Sequence, residues 1–184
     1  GWYRRQRQMC IRDRGTPALG VGAGNVVSIV DETADIADAA AKIAASKTFD
    51  NATSCSSENA VIAVDAVYDK LVAALAAEGG YCLDAAQTAH LEGIHWHNGK
   101  LTSKLLAKDI DVVLAETGFA GTAPDNTSFL VAPQSEFGPD HPMTGEKMSR
   151  FLALHRAGDF DEAMEKAVAI QNHMGAGHSL SLHS

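Results

Sequence analysis

One cysteine of the sequence lies in a setting that suits chemistry better than packing. Cys55 is flanked by Thr53, Ser54, Ser56 and Ser57, between an alanine-rich helical pattern and a short β-branched run. Buried structural cysteines normally sit among aliphatic side chains, whereas a reactive thiolate needs access and nearby hydrogen-bond donors or positive charge. The small hydroxyl side chains leave room beside the sulfur and can donate to it. The pattern therefore predicts a nucleophile on a helix-to-strand turn, with a core cysteine beside a helix end as the alternative.

Three other sets of residues could take part in chemistry, and each also has an ordinary structural interpretation. His95 and His97 have a His-x-His spacing, but a metal site would need a third ligand, so we expect a surface loop and no metal. Cys82 lies among apolar residues and is expected to be inert. Lys47 and Lys104 could contact an anionic substrate, although single lysines are usually solvated.

The elements that must position Cys55 alternate between strand and helix patterns. Apolar runs predict strands at 26–30 and 60–64, and alanine-rich periodic stretches predict helices over 35–47 and 65–77, the second capped by Asp65. Such alternation predicts an α/β fold, an open twisted sheet flanked by helices. Later segments predict further helices at 83–91, 109–117 and 159–174, strands at 128–132, 151–156 and 178–183, and loops at 93–99 and 135–142.

Composition excludes several classes of function. The chain has 184 residues, 46% of them hydrophobic and 21% charged, with a formal net charge of −8 and a pI of about 5.4. An acidic surface disfavours binding to nucleic acid, and no apolar run approaches the roughly 18 residues that a membrane span needs. The cysteine pattern contains no CxxC spacing and does not suggest a disulfide framework, so we expect a cytoplasmic protein.

The first fourteen residues differ from the rest. Residues 1–14 hold five of the fifteen Lys and Arg residues but only one of the twenty-three acidic ones. Five arginines without a second feature are weak support for a nucleic-acid-binding arm. The segment also resembles translated sequencing-adapter sequence, so we interpret 1–14 as a non-native or disordered end and 15–184 as the folded catalytic part.

The surroundings of Cys55 resemble the nucleophile segment of the CoA-acylating aldehyde dehydrogenases, a branch of the aldehyde dehydrogenase superfamily. The resemblance is carried by Cys55 together with motifs at 20–25, 31–35, 46–51, 57–58, 145–149 and 175–179. Residues 175–179 and 182–184 also resemble the sulfoacetaldehyde type. The resemblance implies an incomplete catalytic domain of that fold, with NAD or NADP as cofactor, CoA as co-substrate, a small aldehyde as substrate and a homo-oligomer in the full-length enzyme.

The resemblance also implies roles for particular residues. A Cys55 thiolate would attack the aldehyde, and CoA would release the acyl group after hydride transfer to the nicotinamide. Glu146 would hold the nicotinamide ribose hydroxyls, Gly22 and Gly24 would lie against the cofactor, and His178 would lie near the nucleophile or the CoA entrance. On the residues alone, Glu146 is better interpreted as a solvated loop charge paired with Lys147, and His178 is as readily a strand-end histidine.

One departure from the superfamily pattern bears on the fate of the acyl group. Hydrolytic aldehyde dehydrogenases carry a Glu-Leu-Gly-Gly-Lys motif whose glutamate activates water, and Val21 and Asn25 stand at its two ends here. A valine cannot accept a proton from water, which favours transfer to a thiol. A hydrolytic enzyme with a replacement base, a phosphate-activated semialdehyde reductase and a non-enzymatic oligomerising fragment remain alternatives. We expect no dehydrogenase activity from this chain alone, because a dinucleotide-binding portion is missing from it.

Overall fold

The computed structural model describes residues 24–174 and 176–184, and its elements alternate as the sequence predicts. The strands are β1 (Val26–Val30), β2 (Glu58–Val64), β3 (Gly80–Cys82), β4 (Trp96–His97), β5 (Lys100–Leu101), β6 (Phe129–Gln134), β7 (Phe151–Ala157) and β8 (Leu180–His183). The helices are α1 (Ile36–Thr48), α2 (Asp65–Ala77), α3 (Ala85–His95), α4 (Ile110–Thr117) and α5 (Phe160–Met174), with short 3-10 segments at Phe49–Ala52 and Pro142–Thr144.

Six strands form one sheet in the order β3-β6-β7-β2-β1-β8. Every neighbouring pair in it is parallel, with Ile29 opposite Ile62 and Ala60 opposite Ala153 in the two central pairings. Strands β4 and β5 form a separate antiparallel hairpin around Asn98-Gly99. Because the strands run the same way, the segments that enter them all arrive at one edge of the sheet.

The helices cover the sheet on both faces. Helices α1 and α2 pack against each other, and α5 packs against β1, β2 and β7. The chain moves through the sheet in one direction from β1 to β2 to β3 and in the opposite direction from β7 to β8. Since parallel crossovers are right-handed, this reversal places α5 on the face opposite α1 and α2.

The core consists of aliphatic side chains from the central strands and the helices over them. All five residues of β1 and all seven of β2 are buried. This is typical of parallel strands that are covered on both faces. A second, smaller cluster surrounds Leu91, Leu105 and Phe151 beneath α3 and α4. Among the described residues, no helix combines the length and hydropathy that crossing a bilayer requires.

The predicted helices and long strands are confirmed, with small shifts at their ends, and the short elements were missed. Strand β3 and the β4–β5 hairpin lie where the sequence suggested no strand, although Asn-Gly is a strong signal for a two-residue hairpin turn. Asp65 does not cap α2, since the cap residue is Val64 and the Asp65 carboxylate pairs with Arg156. Asp159 does cap α5, accepting a hydrogen bond from the Glu162 amide at 2.9 Å.

Candidate active site

The predicted site residues within the described range lie just before four neighbouring strands. Gly24 precedes β1, Cys55 precedes β2, Glu146 precedes β7 and His178 precedes β8. The four strands are parallel neighbours, so these residues meet at the amino-terminal edge of the sheet. Ligands of open α/β sheets more often bind beyond the carboxyl ends of the strands. Here the predicted site residues lie at the opposite end, because they belong to the segments that lead into the strands. Gly22 lies outside the described residues, as does Val21.

Gly24 is the point where the other three residues converge. A Cβ atom placed on Gly24 would lie 3.0 Å from the Cys55 carbonyl oxygen, 3.1 Å from His178 Nε2 and 3.4 Å from Glu146 Oε1. The first two distances are tighter than ordinary contacts, and one of the atoms is backbone. A glycine is therefore needed for the close approach of these groups. The structure brings together four of the five residues that the sequence singled out.

Cys55 occupies the tip of an exposed turn. The turn spans 49–57, which we call the nucleophile turn, and its last part is closed by the Ser57 amide donating to the Ser54 carbonyl at 3.1 Å. The cysteine itself is exposed. Its position agrees with the accessible thiol that the flanking serines predicted, and it disagrees with a core cysteine.

The first part of the nucleophile turn has an unusual backbone. Asp50, Asn51 and Ala52 have φ angles of 47°, 52° and 57°, so three consecutive non-glycine residues adopt the left-handed conformation. Side chains hold this geometry in place. Thr53 Oγ1 donates to the Asp50 carbonyl at 2.7 Å, and Asn51 accepts a hydrogen bond from Arg150 Nε at 2.7 Å. Such a run carries a conformational cost that its contacts must offset.

Two contacts close the base of the nucleophile turn. Lys47, at the end of α1, is fully buried, and its ammonium group donates to the Glu58 carbonyl at 2.9 Å. Ser57 Oγ donates to the Ser46 carbonyl at 3.4 Å. Burial lowers the pKa of Lys47 to about 7, and the nearby carboxylates of Glu58 and Glu146 oppose that shift. The expectation of a solvated Lys47 is therefore wrong, whereas Lys104 is exposed.

Glu146 lies in the connection between β6 and β7, within a segment we call the Glu146 loop (142–149). Its side chain is half-buried. The following residue, Lys147, is fully buried, and its ammonium group donates to the carbonyls of Met143 at 2.6 Å and Gly145 at 3.0 Å. Burial, reinforced by the charge of Lys47, holds the pKa of Lys147 well below its usual range. The loop is thus wound around a buried amine.

Two asparagines connect the strands at this edge. Asn59 Nδ2 donates to the Gly24 carbonyl at 3.0 Å, and Asn59 Oδ1 accepts from the Lys147 amide at 2.9 Å. Asn25 Nδ2 donates to the carbonyls of Thr144 at 2.8 Å and Ile170 at 3.0 Å. Asn25, which stands in place of the lysine of the hydrolytic motif, therefore joins β1 to the Glu146 loop and to α5.

The imidazole of His178 faces Gly24 through its Nε2 atom. The Ser179 amide donates to His178 Nδ1 at 2.9 Å. A neutral ring held in this way carries its proton on Nε2, the atom that faces Gly24. The side chain is half-exposed, so the ring is accessible from solvent as well as from the site.

The surface loop predicted at 93–99 is wrong in its first part. His95 is the last residue of α3 and is fully buried, with Nε2 donating to the Lys147 carbonyl at 2.8 Å and the rings of Trp96 and Phe151 against it. Burial lowers the pKa of His95 to about 4. His97 is exposed on β4, and the described residues contain no metal-binding cluster of three or more His, Cys, Asp or Glu.

Sequence reasoning missed the residues that hold the site together. These residues act through hydrogen bonds between segments that are 11 to 88 residues apart in the sequence. The bonds join Lys47 to Glu58, Asn59 to Lys147, and His95 to Lys147. A polar residue inside an apolar strand run, as Asn59 is in β2, was the available signal, because buried polar groups must find partners. The pattern could not have indicated which partner each one finds.

Comparison with known proteins extends these observations. No protein-family model matches the chain. The sulfoacetaldehyde dehydrogenase (acylating) of Cupriavidus necator is 47% identical over 170 residues, which are 92% of this chain and 34% of that protein. The bifunctional aldehyde-alcohol dehydrogenase of Escherichia coli K12 is 38% identical over 170 residues, covering 92% of this chain and 19% of that protein. The chain thus spans about a third or less of the length of these two curated relatives.

Solved structures agree with the sequence relatives. An acetylating aldehyde dehydrogenase from Geobacillus thermoglucosidasius superposes with a TM-score of 0.87 at 34% identity, over 96% of this chain and 38% of its own. A Rhodopseudomonas palustris propionaldehyde dehydrogenase with bound propionyl-CoA gives 0.79 at 26% identity, over 96% and 38%. An engineered glycolyl-CoA reductase with bound NADP⁺ gives 0.80 at 28% identity, over 96% and 39%.

The parallel sheet, the exposed cysteine and these structural matches define an aldehyde dehydrogenase fold. Within that class, the Cupriavidus necator relative is named as acylating and the Geobacillus thermoglucosidasius structure as acetylating, and the Rhodopseudomonas palustris structure holds propionyl-CoA. Over the part of their length that it covers, the chain is similar to acylating aldehyde dehydrogenases in both sequence and structure.

Proposed function

We propose that this chain carries the nucleophile of an enzyme that converts an aldehyde and CoA to an acyl-CoA, with NAD or NADP as the oxidant. The observation that carries the proposal is the convergence at Gly24, where the Cys55 carbonyl, His178 Nε2 and Glu146 Oε1 lie within 3.0 to 3.4 Å of one Cβ position. The backbone of an exposed cysteine, a carboxylate and an imidazole meet at this point, and a thiol, a carboxylate and an imidazole are the groups that such a reaction needs.

Cys55 is the residue that forms the covalent bond. Its thiolate attacks the aldehyde carbonyl carbon, and the carbonyl oxygen becomes the oxyanion of a thiohemiacetal. The Cys55 backbone N–H is one donor for that oxyanion, and hydrogen bonding there lowers the barrier for addition. After oxidation, the CoA thiolate attacks the thioester carbonyl, the bond to Cys55 Sγ breaks and acyl-CoA leaves while the Cys55 thiolate is regenerated.

Glu146 fits the role of holding a nicotinamide ribose. Within the described residues its carboxylate makes no hydrogen bond or ion pair, and Oε1 faces the gap beside Gly24. A carboxylate with free acceptor positions can receive two ribose hydroxyls. When bound there, the nicotinamide supplies the hydride acceptor for the oxidation. Gly22 would lie against the same ligand, and Gly24 leaves it room.

His178 is placed to serve the thiol exchange. We propose that its Nε2–H faces the path by which CoA enters, where it can donate to the incoming CoA or to the acyl oxygen.

Anionic aldehydes such as sulfoacetaldehyde are the proposed substrates, since the Cupriavidus necator relative acts on one by its name. Small neutral aldehydes are the second candidates, because the propionaldehyde dehydrogenase is similar over the same residues.

The half-reaction with acyl-CoA tests this function without the nicotinamide. The protein is incubated with acetyl-CoA, and acylation of each cysteine is followed by peptide mass spectrometry. We expect acyl transfer to Cys55, none to Cys82, and free CoA released in equal amount. The Cys82→Ser variant is the matched control and should react like the parent. Equal labelling of Cys55 and Cys82, or labelling that persists in Cys55→Ser, would refute the assignment.

A further inference from the structure

We infer that Lys147 is a positioning residue for Glu146, because a buried amine and a buried hydrogen-bonded bridge fix the backbone on both sides of that carboxylate. The inference rests on the proposed ribose-binding role of Glu146 and deepens it. Lys147 itself is fully buried and has no direct access to a ligand.

The contacts of Lys147 account for the backbone around Glu146. On the N-terminal side, the ammonium group holds the Gly145 carbonyl at 3.0 Å and the Met143 carbonyl at 2.6 Å. On the C-terminal side, the Lys147 amide donates to Asn59 Oδ1 at 2.9 Å, and the Lys147 carbonyl accepts from His95 Nε2 at 2.8 Å. Both peptide groups that flank Glu146 are therefore tied.

The same bridge relates Glu146 to the nucleophile. Asn59 lies in β2, the strand that follows Cys55, and its Nδ2 atom donates to the Gly24 carbonyl at 3.0 Å. Asn59 thus connects Gly24 to the loop that bears the Glu146 carboxylate. A change of position at Lys147 would move Glu146 relative to both Gly24 and Cys55.

A lysine is chemically unusual in this position. Burying the amine of a lysine without a carboxylate partner is costly, and the described residues give Lys147 only carbonyl oxygens within hydrogen-bond reach. An apolar side chain of similar length would fill the same space at lower cost. An amine that donates to two carbonyls of its own loop is explained if the shape of the loop matters more than its stability.

The test measures nucleotide affinity and thiol reactivity separately. Lys147→Met keeps the length of the side chain and removes its donors. We expect the Kd for NAD⁺ or NADP⁺, measured by calorimetric titration of the protein made from its native gene, to rise about tenfold, a magnitude usual for residues that orient a ligand-binding group. The rate of Cys55 alkylation by iodoacetamide should stay within about twofold of the parent, because the nucleophile turn has its own contacts.

A double-mutant cycle separates positioning from a general structural effect. In a Glu146→Gln background, Lys147→Met should raise the Kd no further, since the group being positioned is already altered. If Lys147→Met leaves the Kd unchanged, if it slows alkylation as much as it weakens nucleotide binding, or if the two substitutions add, the inference is wrong. If Lys147→Met does not fold, Lys147→Gln replaces it in the cycle, and the same rise in Kd is expected because the shorter glutamine side chain cannot hold the Met143 and Gly145 carbonyls in the same geometry.

The same cycle distinguishes the failure of the proposed function. If Glu146→Gln alone binds nucleotide as the parent does, Glu146 is not the ribose ligand, and any effect of Lys147→Met that persists in that background overturns the inference as well. If Glu146→Gln weakens binding and Lys147→Met does not, the function stands and only the positioning role is lost.

Discussion

The site has two halves, the nucleophile turn and the Glu146 loop, and each contains or adjoins a buried lysine that holds it differently. In the nucleophile turn and in the Glu146 loop, a fully buried lysine donates to backbone carbonyls. Lys47 reaches across to Glu58 and closes only the base of its turn, so that Cys55 at the tip stays exposed. Lys147 is enclosed by its own loop, which Asn59 and His95 hold from outside. The nucleophile turn is therefore anchored at its base, whereas the Glu146 loop is anchored along its length.

The difference corresponds to the two tasks that we propose. A cysteine that meets an aldehyde and later a CoA thiol needs access from more than one direction, which an exposed tip provides. A carboxylate that orients a ribose gains from being held in one geometry, because pre-organised groups lose less freedom on binding. Substitutions in the nucleophile turn should therefore impair acyl transfer, substitutions in the Glu146 loop should impair nucleotide binding, and a substitution that touches both should impair both.

Gly24 lies against both halves, so a side chain there should impair acyl transfer and nucleotide binding together. Gly24→Val would press against the Cys55 carbonyl, which as a backbone atom cannot move aside cheaply. We expect acyl transfer from acetyl-CoA to Cys55 to slow about 100-fold and the nucleotide Kd to rise together with it, since misplacement of about 1 Å costs that much. Both are measured on the same preparation, by mass spectrometry and by calorimetric titration.

The control for that prediction is a glycine in α3. A Cβ on Gly93 would have no atom within 4 Å, so Gly93→Ala should leave acyl transfer and nucleotide binding unchanged. If Gly24→Val reduced only one of the two measurements, Gly24 would belong to a single half, and the convergence would not describe the working site.

Acidification should act on the Glu146 half through His95. Burial and the charges of Lys147 and Lys47 lower the folded-state pKa of this histidine to about 4, below the unfolded value of 6.5. The unfolded chain therefore binds the proton first, so the stabilisation is complete above pH 6.5 and is lost as the pH falls. We expect about 2 kcal/mol less unfolding free energy from this residue at pH 5 than at pH 7.5.

Urea unfolding of the parent and of His95→Gln at the two pH values measures this contribution. Glutamine can still donate to the Lys147 carbonyl but does not titrate, so the variant should lose less stability on acidification. His155, whose pKa burial lowers to about 3, stays in both proteins and contributes the same slope to each. An identical loss in parent and variant would show that His95 is not neutral and buried in the folded protein.

Lys47 should affect the nucleophile half alone. Lys47→Met removes the donor to the Glu58 carbonyl and loosens the base of the nucleophile turn. We expect acyl transfer to Cys55 to slow about tenfold and the nucleotide Kd to change much less, because the Glu146 loop keeps its own hydrogen bonds and loses only the nearby charge of Lys47. This is the opposite of the pattern expected for Lys147→Met.

Lys166→Met provides the matched control, because Lys166 is a lysine of α5 that pairs with Glu162 and bonds the Arg156 carbonyl, away from the sheet edge. It should change neither measurement. Should Lys47→Met and Lys147→Met give the same profile, the division of the site into two separately held halves would fail.

The sequence predicted the framework of this site well and its supports poorly. Cys55 is predicted from its flanking hydroxyl residues, whereas Glu146 and His178 are predicted only from the resemblance. All three lie at one edge of the sheet because each precedes a parallel strand. Sequence alone predicts solvent-facing side chains for Lys47 and His95, because a single charged or aromatic polar residue usually is exposed. Their burial depends on carbonyl partners supplied by distant segments, and no local pattern encodes that.

The smallest predicted effect concerns the left-handed run before Cys55. Ala52 is buried with a φ of 57°, a conformation that glycine adopts without a side-chain clash. Ala52→Gly should stabilise the protein by up to about 1 kcal/mol in urea unfolding, reduced by the entropy that glycine adds to the unfolded chain. It should also speed Cys55 alkylation by no more than about twofold, since the turn gains freedom near its tip.

Ala107→Gly offers the matched comparison on the other half. Ala107 has a φ of 55° and donates its amide to the Met148 carbonyl at the end of the Glu146 loop. It should give a similar gain in stability with no change in Cys55 alkylation, because the Ala107 amide contacts the Glu146 loop, which Lys147, Asn59 and His95 also hold. If Ala52→Gly destabilised the protein, the left-handed run would be held by contacts of the Ala52 methyl group, and the exposed turn would be as firmly fixed as the Glu146 loop.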